Sequence, residues 1–263
     1  MFGYQKGLDV EAGTSGAAAT GGARQLYPGM QESPELRWAL IRKIYVILSL
    51  QLLLTAVVAA VVVKVRAIPH FFTTTSAGLG LYIFLIILPF IVLCPLYFYH
   101  EKHPVNLILL GLFTVAISFA VGMTCAFTSG KVILESAILT TVVVLSLTAY
   151  TFWAVNRGKD FSFLGPFLFA AIIVLLVFAL IQARDLSLKH HCVLYVILFP
   201  LGKLSQMIYG GLASLIFSGY IVYDTNNIIR RYTYDQYVWA AVSLYLDVIN
   251  LFLSLMTLFR AAD

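Results

Sequence analysis

Two aspartates stand inside apolar stretches long enough to cross a membrane. They are Asp224 in SLIFSGYIVYDTNNII and Asp247 in WAAVSLYLDVINLFLSLMTLF. A carboxylate at the centre of a membrane helix costs about 2.5–3.5 kcal/mol to insert unless it is protonated, paired or wetted, so an intramembrane Asp marks a functional site by default. The loop IIRRYTYDQY joins the two stretches, which makes them an antiparallel hairpin. Asp224 lies less than two turns before Arg230, and Asp247 lies ten residues beyond Tyr237. Ten residues of helix rise about 15 Å. Both acids therefore belong to the half of the hairpin nearest its loop.

If the helix rotations agree, the two carboxyls meet. Two carboxylates in hydrogen-bond reach cannot both ionise cheaply, so the pair holds one proton in common and titrates as a unit. Protonated, the pair closes a helix contact; ionised, it repels itself or attracts a cation. Ca²⁺ takes hard oxygen ligands, and Tyr223, Thr225, Asn226, Asn227, Tyr245 and Asn250 would add oxygens to a transient Ca²⁺ site at Asp224 and Asp247. The plainer reading of Asp224 is a headgroup-level residue of the polar cluster DTNN. Apolar runs on both sides of Asp247 weaken that reading there. Glu135, one turn into another apolar stretch, reads as a side chain snorkelling to the interface, and His100-Glu101-Lys102-His103 reads as a solvated turn rather than a metal site.

The elements that position these residues follow from composition. The chain has 263 residues, 61% hydrophobic and 11% charged, with a mean hydropathy of +0.93. Soluble proteins carry about a quarter charged residues. An all-α, polytopic membrane protein is expected. Seven apolar stretches run over 44–63, 79–98, 105–127, 132–153, 163–182, 205–228 and 237–259, and together predict a seven-helix bundle. Pro89 and Pro95 predict a kinked or locally unwound second span. The small residues Gly210, Gly211, Ala213, Ser214, Ser218 and Gly219 predict close helix packing in the sixth. Residues 1–35 are of low complexity and read as a disordered cytosolic tail, with Ser33-Pro34 starting the membrane domain, 36–263. Arg37, Arg42, Lys43, Lys102, Arg157, Lys159, Arg230 and Arg231 fall on the side of the N-terminus, which places that side in the cytosol.

Several functions drop out. The net charge of +5 is scattered between apolar runs and forms no nucleic-acid footprint. No cleavable signal peptide is read. Cys94, Cys125 and Cys192 form neither a disulfide framework nor a metal spacing. No nucleophile motif or zinc motif appears, so no catalytic residue, no cofactor and no enzymatic activity are expected. Tyr223-Asp224 matches half of the signature of aspartyl intramembrane proteases, but Tyr245-Leu246-Asp247 does not supply the other half.

The same residues carry a resemblance. Tyr223-Asp224-Thr225 and Ser243-Leu244-Tyr245-Leu246-Asp247 resemble the Bax inhibitor motif family, in its plant Lifeguard branch. His103–Gly122, Leu147–Trp153, Asp160–Phe169 and the terminal NLFLSLMTLFRAAD agree in order, over roughly residues 35–263. The resemblance implies seven helices with the last at the centre, an aspartate pair acting as a pH-sensitive latch, Ca²⁺ leak from internal stores, and suppression of cell death. It implies a multi-pass protein of the endoplasmic reticulum or another endomembrane, with the plasma and vacuolar membranes as alternatives. The functional alternative is a non-conducting protein that regulates cell death by binding other membrane proteins. Two features depart from the family. The second span lacks the arginine that contacts the latch in bacterial relatives. The segment ARDLSLKHHCVLYVIL, Ala183–Leu198, intervenes where plant relatives pass almost directly to Phe199, as a splice-derived insertion or a lineage-specific loop.

Overall fold

The computed structural model describes residues 25–187 and 202–263, apart from 31 and 101. The helices are α1 (Pro34–Lys64), α2 (Ala67–Thr74), α3 (Ser76–Tyr99), α4 (Val105–Ala126), α5 (Gly130–Asn156), α6 (Leu164–Ser187), α7 (Lys203–Arg230) and α8 (Tyr237–Ala262), with a 3₁₀ turn at Tyr234–Gln236. Among the described residues there is no strand. Six helices, α1, α3, α4, α5, α7 and α8, are long and apolar enough to span a bilayer. In α6 the apolar part is shorter, Leu164–Leu180. Its 24-residue backbone nevertheless reaches about 36 Å at 1.5 Å per residue, enough for a core of about 30 Å. The protein is an all-α polytopic bundle.

Local sequence sets the helix ends. Pro34 occupies the first turn of α1, where its missing N–H is not needed. The Thr75 hydroxyl accepts from Gly78 N (3.0 Å) to start α3, and the Ser129 hydroxyl accepts from Val132 N (3.4 Å) to start α5. Gly158, at φ +83°, turns the chain between α5 and α6, a conformation that costs a side-chain-bearing residue about 1–2 kcal/mol. The second span is assigned as one helix through Pro89 and Pro95, without an unwound segment. The short helix α2 bridges the first two spans, and its Phe72 packs against Phe119 (5.0 Å between ring centroids) and Tyr82 (6.3 Å).

The last helix is the hub. In its most apolar window 56% of α8 is buried, against 17–44% for the other spans, and it packs on α1, α4, α5 and most extensively on α7. The α7–α8 hairpin is closed at its far end by Gly210, where a Cβ would lie 2.7 Å from Leu258 N and 2.8 Å from Ser254 O. Backbone touching backbone is what small residues provide in lipid, where no hydrophobic force drives helices together.

Of residues 1–35, 1–24 and 31 lie outside the described residues. Residues 25–30 run along the bundle, with Leu26 and Met30 buried in the main core. At the other boundary, α6 continues through Ser187, so the first part of the Ala183–Leu198 segment is helical; 188–198, with His190, His191 and Cys192, lie outside the described residues.

Candidate functional site: an aspartate pair at the head of a polar cavity

Asp224 on α7 and Asp247 on α8 are both buried, at 8% and 6% exposure. The hairpin turns them toward one another, and their carboxyls interact side chain to side chain. Asn227 Nδ2 approaches Asp224 Oδ1 at 3.5 Å, and Ser243 also bonds to Asp224. Asp247 Oδ2 is buried without a hydrogen-bond partner. Two buried oxygens of the same charge type facing each other are tolerable only with a proton or a cation between them.

A phenol covers the pair on the loop side. Tyr232, in the turn between α7 and α8, reaches Ser243 Oγ at 3.5 Å. Ser243 Oγ also lies 3.3 Å from both the Trp239 and Ala240 carbonyls. Burial, aided by the negative charge of Asp224 and Asp247, pushes the Tyr232 hydroxyl up to about 12. It therefore keeps its proton across the physiological range.

On the other side of Asp247 a cavity of about 550 Å³ extends along α8. Asp247, Asn250, Ser254 and Thr257 line it, together with Tyr209 and Tyr220 of α7 and apolar residues of α3 and α6. These four α8 positions are spaced three, four and three apart, so they form one face of the helix. Asn250 Nδ2 donates to Leu246 O (2.8 Å), Ser254 Oγ to Asn250 O (2.6 Å) and Thr257 Oγ1 to Leu253 O (2.8 Å). With their donors turned back onto the helix, these side chains offer the cavity oxygen lone pairs. A second cavity of about 460 Å³, between α1, α4, α5 and α8, is walled by apolar residues and threonines and includes neither aspartate.

The other sequence candidates separate. Asn250 joins the cavity. Tyr223 points at α6, where a Cβ on Gly165 would meet its hydroxyl at 2.9 Å. Tyr245 leaves the site altogether. It stands two residues before Asp247, about 200° around the helix at 3.6 residues per turn, and its hydroxyl bonds to Thr55 Oγ1 at 2.8 Å. Its role as an oxygen donor to the pair is thus corrected by helix rotation. Glu135 lies apart from the pair as well: it is 3.9 Å from Lys131 Nζ, with about half of its side chain exposed, an interfacial ion pair one turn apart on α5.

Three features escaped sequence reasoning. Tyr245 belongs to a buried polar network with Thr55, Ser118, Gln51 and Thr114: Ser118 Oγ donates to Thr55 Oγ1 (3.0 Å) and Gln51 Nε2 to Thr114 Oγ1 (3.0 Å). Its signal was present in the i, i+4 spacing of Gln51 with Thr55 and of Thr114 with Ser118 inside apolar helices. Asp160, in the loop between α5 and α6, accepts from Ser162 Oγ (2.6 Å), Ser162 N (3.0 Å) and Asn226 Nδ2 (3.2 Å), and so ties that loop to α7 beside the site. His103 Nε2 lies 2.6 Å from the hydroxyl of Tyr237, the first residue of α8, which also accepts from Asn106 Nδ2 at 3.1 Å. Among the described residues no three His, Cys, Asp or Glu side chains gather as a metal site.

Comparison with known proteins gives the family. The model of the family described as "Inhibitor of apoptosis-promoting Bax1" matches residues 37–263. The chain belongs to that family. It is 66% identical over 255 residues to Protein LIFEGUARD 4 of Arabidopsis thaliana, covering 97% of this chain and 96% of that protein. It is 69% identical over 238 residues to Protein LIFEGUARD 2 of the same plant, covering 90% and 94%. The Golgi anti-apoptotic protein of Vaccinia virus (strain Lister) is 32% identical over 239 residues, 88% of this chain and 89% of that protein. These similarities place the chain in the plant Lifeguard branch of the Bax inhibitor family.

Proposed function

We propose that the protein is a Ca²⁺-permeable leak of an endomembrane, gated by protons at Asp224 and Asp247, that restrains cell death. The observation carrying this reading is the carboxyl pair beside a largely apolar cavity among α3, α6, α7 and α8, along one wall of which Asn250, Ser254 and Thr257 set a stripe of oxygens. With a proton between the carboxyls, the hairpin is held shut at this point. When both ionise, they repel across the helix contact and present a divalent cation with two carboxylates, followed by the oxygens of Asn250, Ser254 and Thr257. Restraint of cell death is supported by family membership and by the printed name of the viral relative; a Golgi name there favours an internal membrane.

The test is Ca²⁺ flux into proteoliposomes across pH. Wild-type flux rises from acid to neutral pH. Asp247→Asn keeps one hydrogen-bonding partner for Asp224 at every pH, so flux stays low and its pH response flattens. Unchanged flux and unchanged pH response in Asp247→Asn overturn the gate. No flux from the pure wild-type protein, with cell-death suppression intact, favours the non-conducting interaction protein instead.

A further inference from the structure

The stretch that leads into α1 is bound to the turn that covers the aspartate pair. Leu26 and Met30 are buried in the main core, and the Tyr27 ring lies 5.0 Å from the guanidinium of Arg230. Arg37, 2% exposed, donates to Glu32 Oε2 (2.5 Å), Tyr232 O (2.6 Å) and, at longer range, Ile228 O (3.5 Å). One guanidinium thus fastens residues 25–33 to the 228–232 turn, and that turn carries the phenol lying over Ser243 and Asp224. Between these contacts stands Ser33. It is exposed, its backbone is extended at φ −63° and ψ 129°, and its hydroxyl makes no capping bond although it occupies the cap position of α1. Pro34 follows it.

We propose that Ser33 is a phosphorylation site for a proline-directed serine/threonine kinase, and that the phosphate releases this strap from the 228–232 turn. An extended, exposed Ser-Pro with an uncommitted hydroxyl is what such kinases accept. In the transfer, Ser33 Oγ attacks the γ-phosphorus of ATP, the bond to the bridging oxygen breaks, ADP leaves, and the hydroxyl proton passes to the base of the kinase. The product brings about −1.5 to −2 charges next to Glu32 and one helical turn before Arg37. Arg37 Nε is buried without a hydrogen-bond partner, so the guanidinium has a donor ready for a phosphate oxygen. A guanidinium pairs with a phosphate by charge as well as by hydrogen bonds, often in a two-pronged fork, whereas a carbonyl offers it only a dipole. Arg37 therefore turns from Tyr232 O and Ile228 O to the phosphate, Glu32 is repelled, and the turn loses its fastening.

The release is read without reference to conduction; only a change in Ca²⁺ flux rests on the function proposed above. The full chain in nanodiscs is treated with a proline-directed kinase and Mg-ATP, and mass spectrometry locates the phosphate. Hydrogen exchange is followed in peptides covering 25–32 and 228–233. One phosphate on Ser33, none there in Ser33→Ala, and at least tenfold faster exchange in both peptides on phosphorylation are expected. No phosphate on Ser33 of the folded chain overturns the site. Phosphate on Ser33 with unchanged exchange overturns the release. Faster exchange with no Ca²⁺ flux in either state counts against the conduction reading alone.

Discussion

Tyr245 and Asp247 are two residues apart on α8 and face opposite ways, and removing one polar group from each should separate packing from gating. Tyr245→Phe deletes the hydroxyl that meets Thr55 Oγ1 at 2.8 Å and nothing else. Thr55 keeps its bond to Gln51 O (2.8 Å) and the donor from Ser118 Oγ (3.0 Å), so no buried donor is orphaned. One interhelical hydrogen bond in a membrane protein averages about 0.6 kcal/mol, with about 1.7 as a maximum. Tyr245→Phe should therefore cost about 0.6–1.7 kcal/mol of the α1–α8 contact. That cost is read by equilibrium unfolding in mixed micelles. In proteoliposomes the same variant should retain Ca²⁺ flux within about twofold of wild type, as about 0.4 kcal/mol corresponds to a factor of two, with its pH midpoint unmoved. A Tyr245→Phe variant whose pH response shifts as Asp247→Asn is expected to shift it would refute the assignment of the two residues to separate faces.

Gly210→Val should be strongly damaging, since Gly210 is buried against the α8 backbone. The added Cβ lies 2.7 Å from Leu258 N and 2.8 Å from Ser254 O, both backbone atoms. The helices must part, at about 1–3 kcal/mol for overpacking, seen as a lower unfolding midpoint and as slower oxidation of a cysteine pair placed across α7 and α8. Asp160 is held below the usual carboxylate range chiefly by the Ser162 hydroxyl; burial opposes this, and Ser162 N–H, Asn226 and Arg230 add smaller downward pulls. A depressed folded-state value means that its stabilisation is complete above the unfolded carboxyl range and is lost as pH falls through the folded value. Amide protection in 159–163 should thus weaken on acidification below about pH 4. Asp160→Asn should remove that step, and an unchanged acid profile in the variant would show that another group sets it.

How much of this was legible in the sequence depended on whether a residue's neighbours lie along the chain or across it. Length and hydropathy located the spans, because bilayer thickness imposes itself residue by residue. The Asp224–Asp247 encounter was legible in depth but not in rotation: a short loop fixes how far each acid sits from the turn, whereas one residue of slip rotates a helix by about 100°. The same uncertainty misassigned Tyr245, whose oxygen faces α1. Asp160 was opaque because its partner Asn226 is 66 positions away. Arg37 was read as a topology signal, while its bonds to carbonyls 191 and 195 positions away lay beyond any local pattern. Of the two outcomes expected of Pro89 and Pro95, local unwinding does not occur, since the helix runs through both; neighbouring groups in a membrane bundle can compensate for a missing N–H.

The central place of α8 has a consequence for how the protein is made. The spans it packs on most, α1, α4, α5 and α7, precede it along the chain. During synthesis these helices enter the bilayer before their common partner exists. Asp224 reaches the membrane ahead of Asp247. An incomplete bundle therefore displays unmatched polar groups to lipid, the kind of exposed surface on which quality-control factors act. Arrest of translation before Tyr237 should leave a species that is inserted yet unable to fold, held by insertion machinery or chaperones until the last helix arrives and matches them in a single step.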